Sequence, residues 1–260
     1  MMTPEQIADF QRDGAVVVRG VFKDWVDTLA EGVAQNMADP GEYASENEVS
    51  QGRFFDDYCN WNRIPAFEKV VRESPAAALA AAAMQSQTAQ FFHDHVLVKE
   101  PGTPKPTPWH QDAPYYFVEG QQTVSLWMPL DPVEGASLRF VAGSHKWDKM
   151  VRPVSWSDDS DFYETGDWTP VPDPDADPDK MRVLEWPMQP GDVVLFDYRT
   201  VHGARGNATA SRRRAVSLRW VGDDARYVVR PGRTSPPFPG HDMQDGQRLR
   251  TDWFPVIHGA

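Results

Sequence analysis

Cysteine is almost absent from this sequence: Cys59 is the only one among 260 residues. A single cysteine excludes an intrachain disulfide framework, so a reducing, cytoplasmic environment is the expectation. No apolar run reaches the roughly 18 residues that a membrane-spanning helix needs. The opening MMTPEQIADF lacks the basic stretch and apolar run of a signal peptide. We therefore expect neither membrane insertion nor secretion.

Positive charge is also scarce. Lys and Arg number 26 against 38 Asp and Glu, which gives a net charge of −12. Binding to nucleic acid or to an anionic membrane needs a concentrated basic face, so neither is an expected partner. A local basic pocket for a small anion is still compatible with this charge. We expect a small-molecule substrate and a chain that works as a monomer or a homodimer.

Turn-forming and aromatic residues are abundant. The 23 Pro and 18 Gly argue against a helical bundle, and 10 Trp with 13 Phe supply enough apolar surface for a sizeable core. Residues 3–12 predict a short helix, because Thr3 can cap it, Pro4 suits its first turn and Gln6 completes a capping box. The other elements predicted before residue 90 are a strand at 15–18, helices at 24–37 and 74–87, and an irregular aromatic-rich segment at 42–66. Two interpretations of that segment stay open: a lid or pocket wall, and a loop anchored by its aromatic residues.

Short strands with turn signals dominate after residue 90. They are predicted at 93–99, 109–117, 123–130, 138–141, 181–186, 193–198 and 213–221. Helices followed by about eight strands predict a mainly β fold with helices: a double-stranded β-helix (jelly roll, cupin-like) core flanked by N-terminal helices. We expect a single domain over 1–260, with a helical part at about 1–90, a core at about 91–221 and an extension at 222–260. The acidic segment 151–180 is predicted as a solvated loop, with a flap over the site as the alternative.

The stretch Trp109-His110-Gln111-Asp112 is the most informative part of the chain. On a strand, side chains repeat every second residue, so His110 and Asp112 would point to one face. Two such ligands need one more to form a 2-His-1-carboxylate facial triad, which leaves positions open on Fe(II). By itself a His-x-Asp pattern is common and therefore weak evidence.

The third ligand has two candidates among the remaining histidines. His202 fits best, since it follows an apolar strand and precedes Gly203, where the missing Cβ allows close approach. His145 is the competitor, although a histidine in a Gly-Ser-His turn more commonly bonds the backbone. His93 and His95 share a strand face without a carboxylate, and we interpret them as packing groups or as partners of the ligands.

An anion clamp is the second requirement. Arg213 lies eleven residues after His202 on the next predicted strand, and arginine holds a carboxylate with two parallel hydrogen bonds. Arg219 has the same strand parity and could be the inward group instead, whereas Arg212 and Arg214 should face outward. A solvated surface role is the ordinary alternative for any of them.

Taken together, these motifs resemble the phytanoyl-CoA dioxygenase (PhyH) family. The resemblance runs over roughly residues 3–221 and keeps the order and spacing of the motifs. It rests on TPEQIADFQRDGAVVVRG, His110-Gln111-Asp112, LWMPLDPVEGASLRFVAGSH, Pro190-Gly191-Asp192-Val193, His202-Gly203 and Arg213-Arg214-Ala215.

The resemblance implies an oxidoreductase that uses Fe(II), 2-oxoglutarate and O₂ to hydroxylate a small-molecule metabolite, releasing succinate and CO₂. It implies His110, Asp112 and His202 as the catalytic iron ligands and Arg213 as the clamp for the far carboxylate of 2-oxoglutarate. His145 then belongs to a structural turn. The further cosubstrate-pocket residues that it implies are Trp127 and Tyr116.

Two details qualify this expectation. The family often has Ser or Thr two residues after the distal histidine, and Ala204 stands there, so one cosubstrate hydrogen bond is missing or replaced. Related halogenases replace the ligand carboxylate with a small residue, so the presence of Asp112 favours hydroxylation.

Two rival functions stay open at this point. Another cupin-type metal enzyme, such as an isomerase or hydrolase, would not need Arg213. A non-catalytic binding protein could keep the same barrel, although an intact triad argues against it. A small polar or amino-acid-like substrate is favoured over an acyl-CoA, which the acidic insert would repel. Candidate wall residues are Phe55, Tyr115, Tyr116, Arg139 and Arg230.

Overall fold

The computed structural model describes residues 1–46, 53–102, 106–134, 137–155, 160–176, 178–207 and 211–259. Within these ranges the α-helices are α1 (Pro4–Asp13), α2 (Val26–Ala38), α3 (Pro65–Glu73) and α4 (Ala76–Met84). None of the helices in the described ranges is both long and apolar enough to cross a membrane. The strands are β1 (Ala15–Val18), β2 (Ser45–Glu46), β3 (Phe54–Tyr58), β4 (Ala89–Lys99), β5 (Thr107–His110), β6 (Val118–Glu119), β7 (Thr123–Pro129), β8 (Leu138–Val141), β9 (Val183–Glu185), β10 (Val193–Phe196), β11 (His202–Ala204), β12 (Arg213–Val221), β13 (Arg226–Tyr227) and β14 (Val256–His258).

Two antiparallel sheets form the core. Among the described residues the larger sheet has the order β1-β10-β7-β12-β4-β3-β2, with β14 also paired to β4, and the smaller has the order β5-β11-β8-β9. The inner faces of the two sheets pack through one apolar cluster that includes Trp127, Phe140, Phe196 and Ala215. The predicted jelly-roll class is confirmed, and strands from the first 90 residues extend its larger sheet.

The helices cover the outer face of the larger sheet. Leu29 of α2, Phe67 of α3 and Leu79 of α4 pack against side chains such as Val96 and Leu218 from the strands beneath. The alanine-rich α4 contacts β4, β7 and β12 of this sheet, and its methyl side chains allow a close helix–sheet approach. Because the helices cover the outer face of the larger sheet, a site on this sheet can only lie on its inner face, between the two sheets.

The first helix follows the predicted capping pattern. Thr3 Oγ1 accepts the Gln6 N–H, and the Gln6 side chain accepts the Thr3 N–H, which completes the capping box. The helix ends at Gly14, whose φ of +79° is a left-handed conformation that favours glycine. The Gly14 carbonyl accepts hydrogen bonds from the Asp197 N–H and the Thr200 hydroxyl. This turn therefore anchors the segment that leads into β11.

Gly14→Ala is expected to lower the free energy of unfolding by about 2–5 kcal/mol. A Cβ there would overlap the His145 imidazole and the Thr200 hydroxyl, in addition to the cost of the left-handed backbone. Urea unfolding checks this, with Gly246→Ala as the matched control. Gly246 has the same φ of +79°, but a Cβ there meets nothing within 4 Å, so only the backbone cost applies. Equal losses in both variants would contradict the packing argument.

Two parts of the sequence prediction are wrong. The segment 42–66 is not irregular throughout, since β3 and β2 pair within its described part and α3 begins at its end. The predicted strand 109–117 is too long, because β5 ends at His110 and Ala113–Tyr115 form a 3-10 turn. The sequence pattern missed this turn because the aromatic run after it is as apolar as a buried strand.

Candidate metal centre

Two histidines face each other across neighbouring strands. His110 ends β5 and His202 begins β11, and the two are direct partners in the antiparallel register. Their ring centroids lie 4.2 Å apart. Both imidazoles are buried, so the pairing holds two ligand-type nitrogens together inside the barrel.

Asp112 reaches the same point by a different route from the one the sequence predicted. It does not continue the strand of His110, and instead adopts a helical backbone conformation at the start of the 3-10 turn. The Ala113 N–H donates to the Tyr198 carbonyl, which fixes this turn against the neighbouring loop. The Asp112 Oδ1 atom lies 3.6 Å from His110 Nε2 and 3.8 Å from His202 Nε2. The expected same-face strand geometry is therefore wrong, although the two side chains do converge.

The three donor atoms form a compact set. One ligand atom from each of His110, Asp112 and His202 lies within 4.8 Å of the others, and this is the one such group among the residues that the structure describes. His145, the rival third ligand, lies elsewhere, with its Nε2 atom 3.3 Å from the Gln11 carbonyl. The donor set, two nitrogens and one carboxylate, matches the facial arrangement that suits Fe(II).

Backbone carbonyls fix the tautomer of both histidines. His110 Nδ1 lies 2.8 Å from the Pro108 carbonyl, and His202 Nδ1 lies 2.9 Å from the Thr200 carbonyl. A carbonyl only accepts, so each Nδ1 carries the proton and each Nε2 presents a lone pair toward Asp112. Burial lowers the pKa of His202 to about 3, which keeps it in the neutral form that a metal binds.

Arg219 and Ser125 hold the other oxygen of Asp112. The Ser125 hydroxyl donates to Oδ2 at 3.2 Å, and Arg219 Nη2 lies 3.5 Å from the same atom. Burial alone would raise the pKa of Asp112, but the Arg219 guanidinium outweighs it and holds this pKa well below its usual range. Arg219 in turn donates from Nε to the Tyr116 hydroxyl at 2.7 Å. The carboxylate is thus charged and oriented toward the histidines.

Arg213 lies on the wall of a narrow cavity that also contains all three ligand side chains. The cavity lies between the sheets, and Thr107 and Trp127 line it as well. Arg213 is buried, and burial lowers its pKa to about 10. Arg212, one residue earlier, is exposed and pairs with Glu100 on the surface. Of the two inward arginines, Arg219 contacts Asp112, and Arg213 lies farther along β12.

A second, wider cavity also has Asp112 in its wall. It has a volume of about 280 Å³, close to the lower end of the roughly 300–1,000 Å³ typical of small-molecule sites. Segment 151–180 contributes Val154, Ser155 and Phe162 to its wall, so this insert is not only a solvated loop. The other lining residues are Tyr43, Ser45, Asp56, Tyr58, His93, His95, Asp112, Tyr115, Tyr116, Arg219, Ser235 and Pro236.

Of the five wall residues expected from the sequence, two line the wide cavity and three do not. Tyr115 and Tyr116 line the wide cavity, so Tyr116 is not on the wall that carries Arg213. Phe55 is buried in the core beneath the helices. Arg139 pairs with Asp175 and Glu185 and covers the ring of Trp109, and Arg230 donates to the backbone carbonyls of Ala113, Tyr116 and Val118.

The segment 42–66, for which the sequence left a pocket wall open, does contribute to the wide cavity, through polar residues of β3 that sequence reasoning had not singled out. Asp56 and Tyr58 face the wide cavity, whereas Phe55 and Asp57 point to the other face and are buried. The alternation in Phe54–Tyr58 was a usable signal, because a period of two marks a strand with two different faces.

Asp94, on β4, is expected to make the stability of the protein depend on pH. Burial raises the pKa of this carboxyl to about 7, although its Oδ1 accepts the N–H groups of Asn60 and Trp61 at 2.8 Å. The folded-state pKa lies above the unfolded value of about 3.9, so the folded state binds the proton more tightly. The contribution to stability is therefore full below about pH 4 and is lost as the pH rises through 7.

Asp94→Asn is expected to remove this dependence, because asparagine keeps the acceptor oxygen and carries no charge. Between pH 4 and pH 8, wild type should lose roughly 2–4 kcal/mol of unfolding free energy relative to the variant. Urea unfolding at several pH values measures this, with the exposed Asp167→Asn as control. A constant difference across the pH range would show that Asp94 does not titrate as described.

Comparisons with known proteins agree with this geometry. The family model described as phytanoyl-CoA dioxygenase (PhyH) matches residues 10–215. The chain is 25% identical over 233 residues to the ectoine dioxygenase of Sphingopyxis alaskensis, covering 80% of this chain and 72% of that protein. It is 26% identical over 186 residues to a probable phytanoyl-CoA dioxygenase of Caenorhabditis elegans, covering 68% of this chain and 54% of the relative.

Among solved structures, the chain is similar to the epimerase SnoN in complex with Fe³⁺, alpha ketoglutarate and nogalamycin RO. The TM-score is 0.77 at 24% identity, with 98% of each chain covered. At this identity the likeness shows the fold, which is the jelly roll described above.

Proposed function

The chain belongs to the phytanoyl-CoA dioxygenase (PhyH) family, and on that premise we propose that it hydroxylates a small-molecule metabolite with Fe(II) held by His110, Asp112 and His202. The predicted class, a dioxygenase that depends on iron and 2-oxoglutarate, is confirmed. When bound, iron with 2-oxoglutarate and O₂ supplies the oxidation of a substrate C–H bond and releases succinate and CO₂.

One observation carries the proposal. The two Nε2 atoms and one carboxylate oxygen converge with both Nδ1 atoms already engaged by the Pro108 and Thr200 carbonyls. Such partners on the far side of ligating histidines fix ring orientation and tautomer in metal sites. A histidine pair used only for packing would not need its remaining nitrogens aimed at a buried carboxylate. The residues therefore fit a divalent metal.

Arg213 is proposed to hold the far carboxylate of 2-oxoglutarate. It shares the narrow cavity with the ligands, and a buried guanidinium binds a carboxylate through two parallel hydrogen bonds. Trp127 is proposed as an apolar wall of the same cavity. Tyr116 is proposed to act through Arg219, to which it is hydrogen-bonded, and the wide cavity is proposed to hold the substrate.

The family often has a Ser or Thr hydroxyl two residues after the distal histidine, where this chain has Ala204. The Thr107 hydroxyl is proposed to replace it as a hydrogen-bonding group for the cosubstrate. The two residues are partners in the register of β11 and β5, and Thr107 lines the narrow cavity. Its hydroxyl accepts a hydrogen bond from Lys99 Nζ at 3.2 Å. A cross-strand threonine can thus present a hydroxyl to the cosubstrate from the neighbouring strand.

The direct test is turnover. Purified protein with Fe(II), 2-oxoglutarate and O₂ should form succinate, and a screen of small metabolites should reveal one whose hydroxylation rises in step with it. The same assay distinguishes an oxygenase from the two rival functions, another metal enzyme and a binding protein. A hydrolase or isomerase would convert a screened compound without consuming 2-oxoglutarate, and a binding protein would form no succinate with any compound. We also propose a cytoplasmic location and a monomeric or homodimeric state. Size-exclusion chromatography with light scattering measures the oligomeric state.

A further inference from the structure

Asp56 presents a carboxylate to the wide cavity. It lies on β3, two strands away from Arg219 on β12 in the order of the larger sheet. Its Oδ2 atom lies 3.4 Å from His95 Nε2, and the described residues offer its Oδ1 atom no hydrogen bond. A partly buried anion with an open oxygen favours a cationic partner that the cavity can admit.

Aromatic rings surround this carboxylate. Tyr43 and Tyr58 are stacked, with centroids 5.1 Å apart and planes within 8°, and both line the cavity beside Asp56. Tyr115 and Phe162 form a second aromatic pair on the cavity wall at 4.9 Å. Ring faces attract cations as well as apolar carbon atoms. This part of the wall therefore combines the Asp56 carboxylate with surfaces that tolerate an alkylammonium group.

His93 adds a hydrogen-bond acceptor, its Nε2 atom, to the lining of the wide cavity. Its Nδ1 atom lies 3.1 Å from the Asp94 carbonyl and therefore carries the proton, so Nε2 is an acceptor. The imidazole is buried, lines the cavity and has no hydrogen-bond partner for Nε2 among the described residues. A buried acceptor of this kind calls for a donor, which a ligand can supply.

Charge at the other end of the cavity orients such a ligand. Arg219 faces the cavity next to Asp112, and a metal ion at Asp112 adds positive charge to that end. An ammonium group would be repelled from the metal end and attracted to Asp56. The carbon skeleton of the ligand would then extend from Asp56 toward the proposed metal.

We propose that the substrate is a small amine whose ammonium group binds Asp56 against Tyr43 and Tyr58, with a further N–H or O–H group donating to His93. This inference rests on the proposed function, since it assigns the cavity beside Asp112 to the substrate. The cavity volume of about 280 Å³ accommodates a molecule of sugar or cyclic-amine size.

Matched pairs of probes test this. Glucosamine with glucose, and cyclohexylamine with cyclohexanol, differ in one amino group. Binding is measured by calorimetry without O₂, on protein loaded with Fe(II) and 2-oxoglutarate, so that no turnover occurs. In at least one pair the amine should bind about tenfold or more tightly than its neutral twin. That preference should fall to about one in Asp56→Asn, survive in Asp56→Glu and be unchanged in the control Asp9→Asn, whose side chain on α1 is 46% exposed.

Equal binding within both pairs in wild type, no binding of any probe, or a preference that Asp56→Asn leaves intact would overturn the proposal. Binding of 2-oxoglutarate is titrated in the same samples and should be equal in wild type and Asp56→Asn, which also reports correct folding. If 2-oxoglutarate and iron fail to bind wild type, the proposed function fails. If they bind and the amine preference is absent, only the substrate class is wrong.

Discussion

Asp112→Ala is expected to abolish turnover and to lower metal affinity by more than about 100-fold, because even changes to the partners of metal ligands cost about 10–100-fold. Asp112 supplies the single anionic donor of the cluster, and its Oδ1 atom lies between the two imidazoles. Equilibrium dialysis with Fe(II) without O₂ measures the affinity. Asp175→Ala, which removes a largely exposed carboxylate, serves as the control and should leave the affinity unchanged.

The same variant should also destabilise the metal-free protein. Arg219 is buried against Asp112, and removing one member of a buried ion pair costs about 3–5 kcal/mol because the other charge is left unpaired. Adding Arg219→Met should restore part of the unfolding free energy without restoring metal binding. Full metal binding by Asp112→Ala, or no stability difference between the single and double variants, would contradict the roles assigned to this pair.

Arg213→Ala is expected to weaken 2-oxoglutarate binding by about 30- to 5,000-fold, because losing one partner of a buried, hydrogen-bonded charge pair costs about 2–5 kcal/mol. Metal affinity should change little, since the three ligands are untouched. Arg213→Lys should recover only part of the loss, because lysine cannot form the planar double hydrogen bond. A titration of 2-oxoglutarate in the presence of Fe(II) and the absence of O₂ measures the loss of affinity in Arg213→Ala and the partial recovery in Arg213→Lys.

Arg212→Ala is the matched control for Arg213. It removes the same charge one residue away on the exposed face, where its ion pair with Glu100 contributes about 0–1 kcal/mol. 2-Oxoglutarate affinity should therefore be unchanged. Unimpaired 2-oxoglutarate binding by Arg213→Ala would refute the role of Arg213 as the clamp.

The fold and the metal cluster could largely be predicted from sequence, but for different reasons. Local patterns were sufficient for α1, where Thr3 and Gln6 form the capping box, and for β12, whose bounds the alternation of residues 213–221 indicates. The cluster was predicted through the resemblance to a known family, which rests on the order and spacing of the motifs. The predicted geometry, with His110 and Asp112 on one face of a strand, was wrong. Asp112 begins a turn that depends on a hydrogen bond to the distant Tyr198 carbonyl.

The wall of the wide cavity could be predicted only in part. Tyr115 and Tyr116 were expected there, whereas the contribution of β3 and β4 depends on strand register. Tyr58 lies opposite His95, His95 opposite Ser217, and Ser217 opposite Trp127, so one row of side chains crosses four strands from distant parts of the chain. No local pattern specifies which residue of β3 meets which residue of β4. The polar character of Asp56 and Tyr58 was visible in the sequence, but their shared cavity with Asp112 was not.

The most direct test is a crystal structure of the protein grown without O₂ in the presence of Fe(II) and 2-oxoglutarate, with anomalous scattering recorded at the iron edge. We expect a single iron peak within bonding distance of His110 Nε2, an Asp112 carboxylate oxygen and His202 Nε2, with the far carboxylate of 2-oxoglutarate on Arg213. Iron bound at any other cluster, or a 2-oxoglutarate molecule that does not reach Arg213, would contradict the account.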